Sequence, residues 1–345
     1  MAWQPETDQT IVISTRIRLA RNFAAYPFPT KMDDMQAADI VHLVKEGLDS
    51  LDHDQFRKYD IGALSAEQAM LLQEQYLISP ALLKSKGGAA FVSWDNTVSV
   101  MVNEEDHLRE QYIVKGLALY KAYERICAID DGLGALFDFA FDEKLGYLTA
   151  CPSNLGTGMR ASVMMFLPGL VWSGGLKKLL PKLRANGLTV RGAFGEGSTA
   201  EGCVYQVSNE RTLGVSEEEI LKAVEHTAEQ IIELEKEARL EMLKTSELEL
   251  KDRCLRSYGT LTNCAMLSMK EFHSKMVDIK LGVIFGFFIA ESLDELDDFI
   301  EGLRPTVFRA NNDLRDASEK ECDMVRAETV GRVLSRMVKV VKDGK

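Results

Sequence analysis

The stretch Thr149-Ala150-Cys151-Pro152-Ser153-Asn154-Leu155-Gly156-Thr157-Gly158-Met159-Arg160 sets one thiol before a rigid proline, then two glycines, then a single arginine. Its glycines predict a tight loop whose backbone can come close to a ligand. Cys151 and Arg160 are the side chains there with chemistry to offer, although a lone loop cysteine is usually inert. Ser14-Thr15-Arg16-Ile17-Arg18 alternates cations with apolar or uncharged residues. An extended backbone therefore projects Arg16 and Arg18 from one face. Two such cations suit a partner with several anionic oxygens, and a solvated edge strand would look the same. Asn103-Glu104-Glu105-Asp106-His107-Leu108-Arg109 carries three consecutive carboxylates. They either form a solvated loop or grip a cation, since a planar guanidinium matches carboxylates with paired hydrogen bonds. Val190-Arg191-Gly192-Ala193-Phe194-Gly195-Glu196-Gly197-Ser198 adds one arginine and one acid in a glycine-rich run.

These pieces share a logic. Arg16, Arg18, Arg109, Arg160 and Arg191 are expected at strand ends or in loops. No GxxxxGK(S/T) loop exists in the chain, so nucleotide phosphates would have to be held by arginine side chains. Glu105, Glu196 and Cys151 would present negative charge to a cationic substrate. Arginines for phosphates and acids for a guanidinium make a phosphoryl-transfer site that works by positioning and electrostatics.

The elements that must position these residues read as mixed α+β, an antiparallel sheet with flanking helices. Ile11-Val12-Ile13 opens a strand into Ser14–Arg18. Thr30 resembles an N-cap for a helix through about Leu51, and Ala63–Tyr76 reads as a second helix. Ala89–Trp94 and Thr97–Asn103 read as a hairpin about Asp95-Asn96. A third helix is expected from about Gln111 to Ala128. The strand pair Phe137–Asp142 and Tyr147–Ala150 delivers the thiol loop, and Leu188–Ala193 and Val204–Ser208 are further strands. Ser216 and Glu219 form a capping box, followed by Ile220, Val224, Ile231, Leu234, Ala238 and Met242 at near-helical spacing. A second box, Ser292 and Glu295, starts a helix stopped by Gly302 and Pro305. From Ser216 onward the chain reads as almost wholly helical. The expected division is 1–240 for a catalytic domain and 241–345 for a helical one.

Composition narrows the classes. The chain has 345 residues, 46% hydrophobic and 27% charged, as in soluble globular proteins. Its net charge of −12, from 41 basic and 53 acidic residues, argues against a general nucleic-acid binder and suits basic, arginine-bearing partners. No apolar run is long enough for a membrane span, and the start lacks the regions of a signal peptide. Six cysteines form no CxxC pair and five histidines show no metal-ligand spacing. A reducing cytoplasm is the expected setting.

The four stretches, in this order and spacing over roughly residues 10–215, resemble the signature blocks of the ATP:guanidino phosphotransferases, the phosphagen kinase superfamily. Gly195-Glu196-Gly197-Ser198, Tyr205–Asn209 and Thr212-Leu213-Gly214 further resemble its bacterial protein arginine kinase branch. Small-molecule phosphagen kinases carry a helical domain ahead of the Ser14–Arg18 block, and that domain is expected to be absent here. The resemblance implies that Ser14, Thr15, Arg16, Ile17 and Arg18, with Arg109, bind ATP. So do Arg160, Ala161, Ser162, Val163 and Met164, and Arg191, Gly192, Ala193, Phe194, Gly195 and Glu196, with Mg²⁺ bridging the phosphates. It makes Glu105 the principal catalytic carboxylate, Glu196 the second acid, and Cys151 a thiolate that orients the guanidinium. Tyr76 stands where related kinases have a histidine, and either ring could stack on adenine. The family's R-D-x-x-R-A motif for phosphoarginine aligns with Cys322-Asp323-Met324-Val325-Arg326-Ala327, which lacks the first guanidinium. The implied activity is transfer of the ATP γ-phosphate to arginine side chains of proteins. A Clp-type chaperone-protease, a small zinc-binding activator and a second copy of the chain are the implied partners. Two rivals stand beside it: a kinase for free arginine or another small guanidine, and a non-catalytic adaptor that binds phosphoarginine proteins.

Overall fold

The computed structural model describes residues 10–51, 55–192 and 201–341. Its centre is an eight-stranded sheet in which every neighbouring pair is antiparallel. The order is β2 (Phe56–Asp60), β3 (Ala89–Ser93), β4 (Val98–Val102), β5 (Leu108–Lys115), β1 (Val12–Arg21), β8 (Met159–Phe166), β10 (Val204–Asn209) and β9 (Leu188–Gly192). A period of two decides its faces. Ile17, Leu19, Ala161, Val163 and Val207 are buried on one face. Against them pack Ile40 and Val44 of α1 (Asp34–Ser50), Ile126 and Ile129 of α3 (Leu119–Gly134), and Val224 and Ile231 of α6 (Glu217–Asn263). Each fully buried aliphatic side chain stabilises by about 1.5–3 kcal/mol.

Capping follows the sequence with one shift. Ser216 and Glu219 close their capping box at the start of α6, and Ser292 accepts from the Glu295 N–H at the start of α8 (Leu293–Gly302). The cap of α1 is Asp33, boxed with Gln36, and not Thr30. The helix expected at 63–76 is shorter, α2 (Ala66–Glu74), because Tyr76 turns into the left-handed region at φ 59°.

The largest difference lies at 108–128. Leu108–Lys115 is strand β5, and the helix begins only at Leu119. Leu108 and Glu110 are buried on the core face, while Arg109, Gln111 and Ile113 point the other way. The strand pair expected at 137–150 shrinks to β6 (Phe141–Asp142) and β7 (Gly146–Tyr147), still turning at Lys144–Gly146.

α6 crosses the expected division near 240 without ending, and bends only at Ser246 (φ −147°, ψ 37°). Its first half is tied to the sheet by a buried ion pair. Glu235 accepts from the N–H groups of Gly169 and Leu170 at 2.9 and 2.8 Å, at the head of α4 (Pro168–Trp172), and from Arg239 Nε at 2.7 Å. Arg239 in turn donates to the Phe166 carbonyl at 3.0 Å. Beyond the bend a second core forms from Leu250, Leu261, Phe272 and Ile279 of α6 and α7 (Met269–Ile284), with Val330 and Leu334 of α10 (Glu319–Met337). Leu281, Phe285, Phe287 and Phe288 also lie inside it. The apolar run Leu281–Ala290 is thus largely consumed by the chain's own core. The tail is not purely helical, since β11 (Phe288–Ala290) pairs with β12 (Val338–Val340).

Candidate functional site

The register of the sheet places the arginines. Arg18 faces Arg160 across β1 and β8, Arg16 faces Ser162, Arg109 faces Ala20, and Arg191 faces Gln206, which faces Met164. Directly paired residues share a face, so all five arginines project from the side opposite the main core. All five sit within strands and none in a loop; Arg109, Arg160 and Arg191 lie one residue from a strand end, as expected, and the sheet fixes their spacing.

Their charges are only partly answered. Arg109 Nη1 donates to both oxygens of Glu104, at 2.7 and 2.8 Å. Arg16 Nη2 donates to Gln206 Oε1 at 2.9 Å, and Arg160 Nη2 to Ser208 Oγ at 3.0 Å, both neutral acceptors. The Nε atoms of Arg18 and Arg160 are buried without an acceptor. Burial, then the neighbouring Arg109, draws the Arg16 pKa down to about 10. Burial, followed by Arg16, Arg109 and Arg160, pulls Arg18 well below its ordinary value, and burial with Arg191 lowers Arg160. A cluster of cations that repel one another, with orphaned donors, is a seat for a polyanion.

Beside it lies a cavity of about 170 Å³ lined by Arg18, Arg109, Arg160, Glu104, Glu105, Ser153, Asn154 and Gly158. Of the three consecutive carboxylates, Glu104 is held by Arg109 and Ser79. Asp106 is buried and accepts from Asn22 Nδ2 at 2.7 Å and the Ala150 N–H at 2.6 Å, and burial raises its pKa. Glu105 alone is exposed. The next residue, His107, is buried. Its Nδ1 accepts the Phe23 N–H at 3.0 Å, which leaves the proton on Nε2 to donate to the Pro27 carbonyl at 2.8 Å.

The thiol loop is tied to the rest of the chain at several points, while Pro152 and Ser153 remain exposed. Asp106 holds Ala150, Asn22 Nδ2 donates to the Leu148 carbonyl at 3.0 Å, and Thr212 Oγ1 lies 3.0 and 2.8 Å from the carbonyls of Ser153 and Leu155. Gly156 and Gly158 do bring backbone close, but to the chain itself. A Cβ on Gly156 (φ 110°) would lie 2.3 Å from the Thr212 carbonyl, and one on Gly158 (φ 63°) 2.6 Å from the Ala20 carbonyl and Arg21 Nη1. Cys151 is half-buried, its Sγ 3.1 Å from Ser153 Oγ. Ser153 and Asn154, its loop neighbours, line the cavity.

Other expected site residues divide by face. Ser14, Ser162 and Met164 share the arginine face. Thr15, Ile17, Ala161 and Val163 point into the core, so only their backbones can meet a ligand. Thr15 Oγ1 donates to the Gly116 carbonyl at 2.6 Å. Gly192 ends β9, while Ala193, Phe194, Gly195 and Glu196 lie outside the described residues. Tyr76 carries the Arg304 guanidinium 4.4 Å above its ring. In α10, Cys322 is buried, and Arg326 Nη1 donates to the Leu267 carbonyl at 2.7 Å and Asp323 at 2.5 Å. Sequence reasoning missed Glu104 as the partner of Arg109, and missed Asn22 and Thr212 as anchors. The five-residue spacing from Glu104 to Arg109 was the one visible signal for the first; nothing local marks the other two.

Residues 39–238 match the ATP:guanido phosphotransferase C-terminal catalytic domain, and residues 247–343 match the protein-arginine kinase McsB C-terminal domain. The lombricine kinase crystal structure is 26% identical with a TM-score of 0.60, covering 67% of this chain and 68% of that one. The chain belongs to the ATP:guanido phosphotransferase family and is an ATP-dependent guanidino phosphotransferase. Its similar relatives are more particular. It is 40% identical to the protein-arginine kinase of Caldanaerobacter subterraneus over 95% of this chain and 98% of that one. It is 41% identical to that of Clostridium acetobutylicum (93% and 95%) and 40% identical to that of Bacillus subtilis (86% and 82%). Among the described residues no helix is long and apolar enough to cross a membrane.

Proposed function

We propose that the chain phosphorylates arginine side chains of proteins, with ATP bound along the arginine face and the target guanidinium at Glu105. One observation carries the reading: on the sheet face that Arg109 and Arg191 share, Arg16 and Arg160 meet neutral acceptors and the Nε atoms of Arg18 and Arg160 meet none, and an exposed carboxylate stands at the edge of this cluster. The residues fit a triphosphate, since buried Nε donors of Arg18 and Arg160 await acceptors. Mg²⁺, which the family implies, would enter with the nucleotide and offset phosphate charge; among the described residues no cluster of three or more metal-ligating side chains occurs. When bound, ATP supplies the phosphoryl group; Arg18, Arg109 and Arg160 hold its charge, and Glu104 holds Arg109 in place.

A guanidinium with pKa above about 12 is a poor nucleophile. Glu105 therefore aligns one guanidinium nitrogen and takes its proton as the N–P bond forms and ADP leaves. Glu196 is assigned the second acid, and Cys151 a share in orienting the guanidinium from the loop whose next residues line the cavity. Residues 1–240 and 241–345 are proposed as the catalytic and regulatory domains. Phosphoarginine on a protein would mark it for a Clp-type protease in the cytoplasm, with a zinc-binding activator and a homodimer as the proposed assembly. A phosphoarginine sensor at Cys322–Ala327 gains no support, because Cys322 is buried and Arg326 is committed to Leu267 and Asp323.

The test is Glu105→Gln against wild type with ATP and either an unfolded protein or free arginine. Acid-labile phosphate on the protein should appear with wild type and fall by about a hundredfold or more in the variant. Phosphate on free arginine alone would favour the small-guanidine kinase. Phosphate on neither would favour the non-catalytic adaptor.

A further inference from the structure

A second cavity, of about 360 Å³, opens on the same face of the sheet. Along β1 and β8 the facing pairs run Arg18 with Arg160, Arg16 with Ser162, then Ser14 with Met164, and this last pair lines the cavity. The step from Arg18 to Ser14 is roughly 13 Å at about 3.3 Å per residue, comparable to the reach from terminal phosphate to base in an extended nucleotide. Tyr76 lines the cavity too. The opposite wall belongs to the helical part of the chain, with Met276 and Val277 of α7, Ile300 of α8 and Arg304.

That helical part also sets Tyr76. The Glu74 carboxylate accepts from the Thr306 N–H at 3.0 Å, the Val307 N–H at 3.3 Å and Thr306 Oγ1 at 2.8 Å, capping α9 (Pro305–Asn311). Arg304 stacks on the Tyr76 ring and donates to the Glu74 carbonyl. Tyr76 itself, left-handed, accepts from Gln111 Nε2 of β5. The rim is laced by ion pairs, Lys280 with Asp297 at 2.6 Å and Lys115 with Asp298 at 3.0 Å, the latter joining β5 to α8.

We propose that the helical domain supplies one wall of the nucleoside seat, with Arg304 and Glu74 as positioning residues for Tyr76. Base binding is then shared between the two domains. The proposal rests on the nucleotide-dependent reading above. It has a thermodynamic consequence: whatever presses α7 to α9 onto the sheet tightens nucleotide binding, and nucleotide tightens that contact by the same factor. A polyphosphate without a base would engage the arginines and leave the helices unaffected.

The experiment uses the full chain with ADP and with inorganic tripolyphosphate, reading affinity by calorimetry and backbone hydrogen exchange by mass spectrometry. Both ligands should bind wild type, and ADP alone should slow exchange in residues 272–280 and 293–311. Ile300→Trp, which fills the cavity from the helical side, should weaken ADP about tenfold or more while changing tripolyphosphate by less than about twofold. Equal protection by the two ligands, or unchanged ADP affinity in Ile300→Trp, would overturn the proposal. If Ile300→Trp does not fold, Arg304→Gln must show the same split between ligands, and the proposal fails if it does not. Wild type that binds neither ligand would overturn the phosphotransferase reading, and this proposal with it.

Discussion

Glu104→Gln tests whether the site is built to run short of negative charge. The Glu104 side chain is 2% exposed and that of Arg109 25%, with 2.7 Å between their charged atoms. Opposite charges about 4 Å apart attract by about 4 kcal/mol at an effective dielectric of about 20. Partial exposure of Arg109 screens that figure, and glutamine keeps one oxygen to accept from Nη1, so the expected loss is about 2 kcal/mol. Bound tripolyphosphate would return the missing negative charge. Urea unfolding should then show Glu104→Gln less stable than wild type by about 2 kcal/mol without anion, and by less than about 1 kcal/mol with it. By linkage the variant should bind tripolyphosphate more tightly, by about fivefold to tenfold. Glu105→Gln, altering an exposed carboxylate, should leave urea stability unchanged. Weaker tripolyphosphate binding by Glu104→Gln, or no loss of stability without anion, would refute the idea that Glu104 is the cluster's internal counter-ion.

Three further outcomes follow from the clamps. Burial holds the His107 pKa below its ordinary 6.5, so the unfolded chain takes up that proton first. The contribution of neutral His107 is complete above pH 6.5 and is lost as pH falls toward the folded pKa, by at most about 1.4 kcal/mol per pH unit. His107→Asn keeps an acceptor for the Phe23 N–H and does not titrate, so its urea midpoints should flatten over that window; an unchanged slope would assign it to another group. Thr212→Val removes the hydroxyl shared by Ser153 and Leu155, and should cost about 1–2 kcal/mol and lower kcat more than it raises the KM for ATP. Gly156→Ala forces a Cβ against the Thr212 carbonyl at positive φ, and should cost about 3 kcal/mol or more, read as loss of soluble folded protein.

What could be read from the sequence was what depends on neighbours in sequence. The Ala89–Val102 hairpin shows through its Asp95-Asn96 turn and its valines at every second place, and the α6 cap through Ser216 and Glu219. The pairing of Arg16 with Arg18 was legible because alternation alone sets a face. Strand β5 was not, because Arg109-Glu110-Gln111 favours helix locally. Its strand state is imposed by pairing with both β4 and β1, the latter at least 87 residues away in sequence. The same limit hid the anchors. Asn22 reaches Asp106 and Leu148, and Thr212 reaches Ser153 and Leu155, across separations of at least 57 residues.

Placing the arginines in strands, and not in loops, bears on how the site can work. Unanswered cations in a flexible loop would swing apart into water when no anion is bound, and would have to be gathered again at each turnover. Here Arg16, Arg18 and Arg160 are spaced by ladder registers, backed by Ile17, Leu19 and Ala161 in the core. They cannot relax by separating, and the lowered pKa values of all three record the burial and mutual repulsion they bear. A value near 10 still leaves Arg16 charged at neutral pH, so at Arg16 the tension is relieved by binding an anion and not by losing a proton. A fixed array of this kind needs little reorganisation as charge shifts between phosphate oxygens, which is the condition under which electrostatics accelerate phosphoryl transfer most. The overall charge of −12 works against an anionic ligand only weakly, since fields beyond about 8–10 Å are screened in physiological salt. On the proposed reading the hold on the phosphates is therefore set by the arginines of the sheet face, close to the ligand, and only weakly by the net charge.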